Sequence, residues 1–181
     1  MASVLPPILL FAPKKRRVRI PQADELDTVV QVVERAGLGV KDPRGVANLM
    51  GFDPRQSSYY REAAEVLGFL NPRRKYNLTD LGRQLLVSDS RKRVRFLSAA
   101  LIHYPIISSI LACLQSGLCE EVSRKDIATL LRMVSHLDQT TIDRRTQTLM
   151  SWLKWLQTNL GIIEVNDTRV TLASQTKLKI N

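Results

Sequence analysis

The stretch from Asp138 to Leu160, DQTTIDRRTQTLMSWLKWLQTNL, places the tightest constraint on how this chain can fold. At 100° per residue, Ile142, Leu149, Leu153, Leu156 and Leu160 fall on one side of a helix, with Thr146 filling the gap in the series. A stripe of that length has to be covered by other elements. Thr140, Arg144, Gln147 and Ser151 recur on the opposite side at i, i+4, i+7 and i+11, all hydrogen-bonding types and one of them cationic. Asp138 is placed as an N-cap, and Gly161 follows the helix. IIEVNDTRVTL then reads as two short β-rich runs joined at Asn166-Asp167. Trp152 and Trp155 are expected in packing rather than in base stacking.

Charge narrows the partner class. Twenty-seven Lys and Arg against 17 Asp and Glu leave a net charge of +10, the electrostatic footprint of a polyanion binder. With 181 residues and 44% hydrophobic content, the chain can fill one large or two small cores. Its two cysteines, Cys113 and Cys119, adjoin an apolar helical stretch, so Cys113 is read as buried filler in a reducing compartment. The apolar start VLPPILLFA is short, carries two prolines and has its cations after it, so it fits neither a signal peptide nor a membrane span. PKKRRVRIP, between two prolines, reads as an extended basic arm with Lys14, Lys15, Arg16 and Arg17 available to phosphates; it also has the look of a nuclear-localisation sequence.

The first half then supplies helices in a definite order. Asp24 to Ala36 is amphipathic, with Leu26, Val29, Val30 and Val33 on one side. Pro43 to Met50 is a short second helix closed by Gly51, and FDPR reads as a tight turn. A third helix is expected from Gln56 or Ser57 to Leu67, with Tyr59, Ala63, Val66 and Leu70 inward and Ser57, Arg61 and Ala64 outward. FLNPRRKYNLT reads as two short strands with Arg73, Arg74 and Lys75 near the tip, and Thr79 as the cap of a closing helix. Ser88 to Gly117, mostly apolar and broken at Pro105, reads as two helical pieces supplying a core shared by the halves. Ser123 is read as the cap of a helix with Ile127, Leu130, Leu131 and Val134 buried.

Gln56-Ser57-Ser58-Tyr59-Tyr60-Arg61 matches Gln139-Thr140-Thr141-Ile142-Asp143-Arg144 in residue type at five of six places. The expected fold is therefore mainly α, with two winged helix-turn-helix domains, each a three-helix core with a small β-hairpin wing, joined by a largely apolar helical segment. Its parts are an N-terminal basic arm (1–23), a first domain (24–87), connecting helices (88–116) and a second domain (117–181). A recognition helix enters the major groove by its N-terminal end, where hydroxyls hold phosphates and an arginine reaches guanine. The expected DNA contacts are Ser57, Ser58, Arg61, Arg73, Arg74 and Lys75 in the first domain, and Thr140, Thr141, Arg144, Arg145 and Gln147 in the second. The alternative for Arg61 and Arg144 is pairing with a nearby acid, such as Glu62 or Glu65, Asp143 or Asp138.

FDPRQSSYYREAAEVLGFL, KYNLTDLGRQLL and the downstream TTIDRRTQTLMSWLKWL resemble the paired winged-helix modules attached to some prokaryotic restriction endonucleases and related defence proteins, over roughly residues 40 to 172. The resemblance implies DNA recognition by this chain and cleavage by a separate domain. No Glu-x-Lys or Asp-x-Lys triplet occurs in the chain, so the carboxylate-x-lysine metal site of such nucleases has no counterpart.

No Gly-rich phosphate loop, His/Cys metal set or paired nucleophile and histidine is present either, so no enzyme activity, cofactor, metal or small-molecule substrate is expected. The expected partner is double-stranded DNA, with the chain acting as a regulator or as the recognition subunit of a larger nucleic-acid-processing or defence assembly, and with a larger protein assembly or a nuclease subunit as a further partner; no membrane is expected. The competing reading is a protein-docking adaptor built on winged helices. The expected location is cytoplasmic and nucleoid-associated, or nuclear in a eukaryote. Purified chain incubated with Mg²⁺ is expected to leave duplex DNA intact on a gel; cleavage abolished by a chelator overturns the non-enzyme reading.

Overall fold

The computed structural model describes residues 6–14, 17–74 and 76–174. Among these the chain is mainly α, with eight α-helices and one three-stranded antiparallel sheet. It divides into two compact units: Ile20–Ala100 is one, and Met1–Arg19 with Leu101–Asn181 is the other, here called the split unit. No single helix among the described residues is long and apolar enough to cross a membrane.

The continuous unit holds α1 (Leu26–Gly37), α2 (Pro43–Met50), α3 (Pro54–Val66) and α4 (Asp80–Leu86), and it ends within α5 (Ser90–His103). Leu26, Val29, Val30 and Val33 of α1 are all buried, as their spacing demands, and the helix packs on α3 and α4. α3 begins earlier than its sequence suggests. Asp53 and Gln56 close a reciprocal capping box over the first turn, and Pro54 supplies a preset φ at the first helical position. The buried side of α3 is Ser57, Tyr60, Ala63, Ala64 and Glu65, whereas Tyr59 is half-exposed. The expected inward stripe is thus rotated by about one residue, roughly 100°.

The expected first hairpin is reduced to a single bridge between Leu70 and Leu78. Tyr76 explains why. The residue is 1% exposed, and its backbone has a left-handed φ of +58°, outside the extended range that a strand ladder requires. Thr79 caps α4 as expected, accepting from the Gly82 N–H at 3.0 Å, and its hydroxyl bonds back to the Gly68 and Phe69 carbonyls.

The split unit runs α6 (Pro105–Gln115), β1 (Glu121–Ser123), α7 (Arg124–Val134), α8 (Gln139–Leu160), β2 (Ile163–Val165) and β3 (Arg169–Leu172), with strand order β1-β3-β2. Val122 pairs with Val170, and Ile163 with Leu172. β1 has no counterpart in the sequence reading. Ile142, Thr146, Leu149, Leu153 and Leu156 of α8 are all at or below 1% exposure, while Leu160, the last residue of the helix, is 38% exposed. Trp152 is fully buried, edge-on to Tyr104 with ring centroids 5.6 Å apart.

Of the segment expected to be a basic arm (1–23), Met1–Arg19 belongs to this unit and Ile20 onward to the continuous one. Pro7–Phe11 forms a short 3₁₀ helix against α6 and α7, with Ile8 1% exposed. The Phe11 carbonyl accepts from the Ser109 hydroxyl at 2.7 Å, the Val18 N–H donates to Val134 at 3.2 Å, and the Tyr104 hydroxyl donates to Arg19 at 2.8 Å. The prolines exclude a long helix, but the apolar run between them still has surface to bury. Cys113 and Cys119 also depart from expectation. They form a disulfide with Cα atoms 5.5 Å apart, tying the end of α6 to the chain entering β1.

Gly82 marks the closest approach in the continuous unit, since a Cβ there would lie 2.1 Å from the Phe69 carbonyl oxygen. Gly82→Ala is expected to cost about 1–3 kcal/mol by forcing α4 off Phe69. A urea midpoint equal to wild type refutes this.

Candidate nucleic-acid interface

The polar side of α8 is set at its first turn. The Asp138 carboxylate accepts from the Thr141 N–H at 3.0 Å and from the Thr141 hydroxyl at 2.6 Å. These bonds, the hydroxyl's first, hold the carboxyl below its usual range. Thr141 is therefore occupied as part of the cap. With Ile142 and Thr146 buried, Thr140, Asp143, Arg144 and Gln147 are left exposed. Arg145 differs from its neighbour: the residue is half-buried, with its Nε and Nη1 withdrawn from water.

α7 adds cations that the sequence reading passed over. The Arg124 guanidinium donates to the Gln147 side-chain oxygen at 2.8 Å, and Arg132 donates to Gln139 at 2.7 Å. Gln139 in turn donates to Asp143 at 2.7 Å. Arg124, Lys125, Thr129, Arg132, Gln139, Asp143 and Thr168 line an open depression of about 780 Å³ between α7, α8 and the β2–β3 turn. The signal was present in the spacing: Lys125 and Arg132 are seven apart on the side of α7 opposite Ile127, Leu130, Leu131 and Val134. The turn is anchored by Lys154, which donates to Asp167 at 2.7 Å. That bond and the lysine's charge hold the Asp167 carboxyl below its usual range.

In the continuous unit the expected contacts fare differently. Ser57 is fully buried and shares a 3.3 Å hydrogen bond with the Tyr76 hydroxyl. Arg61 is ion-paired with the buried Glu65, its guanidinium lying 5.8 Å from the centre of the Tyr76 ring. Neither side chain faces outward, because α3 is rotated from its expected setting, and Arg61 takes the acid-pairing alternative. Ser58 is half-exposed and its hydroxyl donates to the Pro54 carbonyl at 3.1 Å. Arg73 and Arg74 are exposed on the loop, where Asn71 accepts from their backbone N–H groups. Lys14 and Arg17 are exposed, while Lys15, Arg16 and Lys75 lie outside the described residues. Burial, then the charges of Asp24 and Glu25, push the Tyr60 hydroxyl up to about 12, and burial raises that of Tyr76. Both remain neutral hydrogen-bonding groups at ordinary pH.

Burial also corrects the repeat. Superposing the caps Asp53 and Asp138 sets Ser57 on Ile142, both fully buried, and aligns the three buried residues 63–65 with 148–150. The residue-type match had been displaced by two positions. On the cap register, the outward series Arg55, Ser58, Tyr59 and Glu62 corresponds to Thr140, Asp143, Arg144 and Gln147.

These features define a mainly helical protein of two compact units, one of which sets a cation-rich depression beside a small antiparallel sheet. The chain belongs to the family described as Domain of unknown function (DUF7226), whose model matches residues 28–160. Neither a curated protein nor a solved structure matches it.

The position of Arg61 makes it a stability residue. Arg61→Ala withdraws the guanidinium from a buried carboxylate and is expected to cost about 3 kcal/mol. Adding Glu65→Gln should restore part of that loss. Chemical denaturation followed by circular dichroism is the measurement, and an Arg61→Ala variant as stable as wild type contradicts the assignment.

Proposed function

We propose that this chain is a double-stranded DNA-binding protein that reads the duplex with α8. The observation that carries the reading is the alignment of charge with an exposed helix start. Arg144 and Gln147 stand about one turn apart on the open side of α8, and Gln147 is held by Arg124, which lines the depression together with Lys125 and Arg132 of α7. The order α6-β1-α7-α8-β2-β3, with strands arranged β1-β3-β2, supports reading the split unit as a winged helix-turn-helix. In that reading α7 and α8 are the two helices of the motif, and β2–β3 is the wing. The continuous unit is read as a second three-helix module, α1 to α3, whose wing is reduced to the Leu70–Leu78 bridge.

The division of labour follows from side-chain chemistry. Lys125 and Arg132 neutralise phosphates, which sets affinity and its salt dependence. Arg144 has the fork geometry for guanine O6 and N7, and Gln147 that for adenine N6 and N7. The role is that of a regulator or of the recognition part of a larger assembly.

Lys125→Ala and Arg132→Ala are each expected to lower the salt slope of binding to random duplex by about 0.9. Arg144→Ala is expected to cost about 1–3 kcal/mol in a sequence-dependent way. Gln31→Ala, on the exposed side of α1, serves as the unaffected control. Fluorescence anisotropy across several salt concentrations, with circular dichroism as the fold check, provides the readout. Wild-type duplex binding by all three basic-residue variants removes this reading and leaves the protein-docking one.

A further inference from the structure

The outward side of α3 carries different chemistry from that of α8. Where α8 presents Asp143 and Arg144, the cap register gives α3 Ser58 and Tyr59. Tyr59 lines a shallow depression of about 670 Å³ formed with Pro43 and Arg44 at the start of α2 and Pro54, Arg55 and Ser58 at the start of α3. The two prolines bring rigid rings and no N–H donors. A duplex base edge needs hydrogen-bonding groups in fixed positions, and a tyrosine ring beside two proline rings supplies mainly apolar surface. The flat face of an unstacked base is what such a surface accommodates.

The two arginines complete the site. Arg44 and Arg55 are exposed, and neither makes an ion pair among the described residues. A guanidinium presents paired donors that fit the oxygens of a phosphate. Asp42, which also lines the depression, accepts from the Gly45 N–H at 2.8 Å, and Asp53 accepts from the Arg55 N–H at 2.7 Å. Ser58 has its hydroxyl at the edge, donating to Pro54, and its lone pairs remain available as acceptors.

We propose that this depression is a binding site for an unpaired nucleotide of a nucleic-acid strand, with the base stacked on Tyr59 and the flanking phosphates held by Arg44 and Arg55. It shares with the duplex reading only the premise that the chain takes nucleic acid, and it engages different residues. The stacking is independent of base identity, since every base offers a π face. A 2′-hydroxyl is not read by any feature of the site, so DNA and RNA strands supply the same chemistry.

The test uses the full chain with fluorescently labelled oligodeoxythymidine and oligouridine of about 12 nucleotides. Tyr59→Ala is expected to weaken binding of both about tenfold or more, whereas Tyr59→Phe, which keeps the ring, binds as wild type. Arg44→Ala and Arg55→Ala should each lower the salt slope by about 0.7. These residues are exposed or half-exposed, so circular dichroism and thermal unfolding should stay unchanged. Repeating the Tyr59 pair on a Lys125→Ala/Arg144→Ala background separates the two sites. Loss of duplex binding with retained Tyr59 dependence on single strands upholds both readings. Absence of duplex binding by wild type, with the Tyr59 dependence intact, overturns the duplex reading alone. Equal binding of single strands by Tyr59→Ala and wild type, or no binding of either oligonucleotide by wild type, overturns the nucleotide site.

Discussion

Burial of the α8 stripe organises the split unit. Ile142, Leu149, Leu153 and Leu156 are fully withdrawn from water, and each such side chain is worth about 1.5–3 kcal/mol. Trp152 extends the apolar surface sideways onto Tyr104, whose hydroxyl reaches back to Arg19. One helix therefore has packing partners on α7, on the strand that follows it and on Tyr104, the residue that caps α6. Its rotation is fixed by that packing. The polar residues left outside are a consequence of the same constraint, which is why Arg144 and Gln147 are exposed and Arg145 is not.

In the continuous unit a small polar cluster has taken the place of a hairpin. Tyr76 reaches Ser57 with its hydroxyl and lies near the Arg61 guanidinium, which pairs with Glu65. Buried polar groups need partners, and here they find them in one another. Ser57 and Arg61, which read as part of an outward face, are instead taken up in this cluster. What remains outside is a tyrosine and two arginines around a pair of prolines.

Periodicity made α1, α7 and α8 legible, because their apolar residues repeat over three or more turns and allow only one rotation. α3 was harder. Adjacent tyrosines at 59 and 60 satisfy two rotations equally by residue type, and a buried serine at 57 imitates an exposed one. The cap settles the rotation, since Asp53-Pro54 with Gln56 starts the helix two residues before the expected position. β1 contributes only Val122 to the core and exists through its pairing with β3, a contact 48 residues away in sequence that leaves no local pattern. In VLPPILLFA the prolines suggest an extended arm, yet Ile8 is buried while Leu10 stays exposed, so one side chain and not the whole apolar run ties the segment into the fold. Lys125 and Arg132 are legible in spacing as the polar side of α7, but only the tertiary placement of α7 beside α8 brings them to one depression with Gln139 and Asp143.

The split unit draws its first strip of chain from one end of the sequence and the rest from beyond position 100. Synthesis runs from the N-terminus, and domains fold as units while the chain emerges. Ile8 must therefore stay unburied while Ile20–Ala100 is translated, because α6 and α7, which cover it, do not yet exist. The continuous unit can close on the ribosome in the meantime. Its partner cannot, and the cell must shelter an apolar hook of chain for the time needed to make more than a hundred further residues.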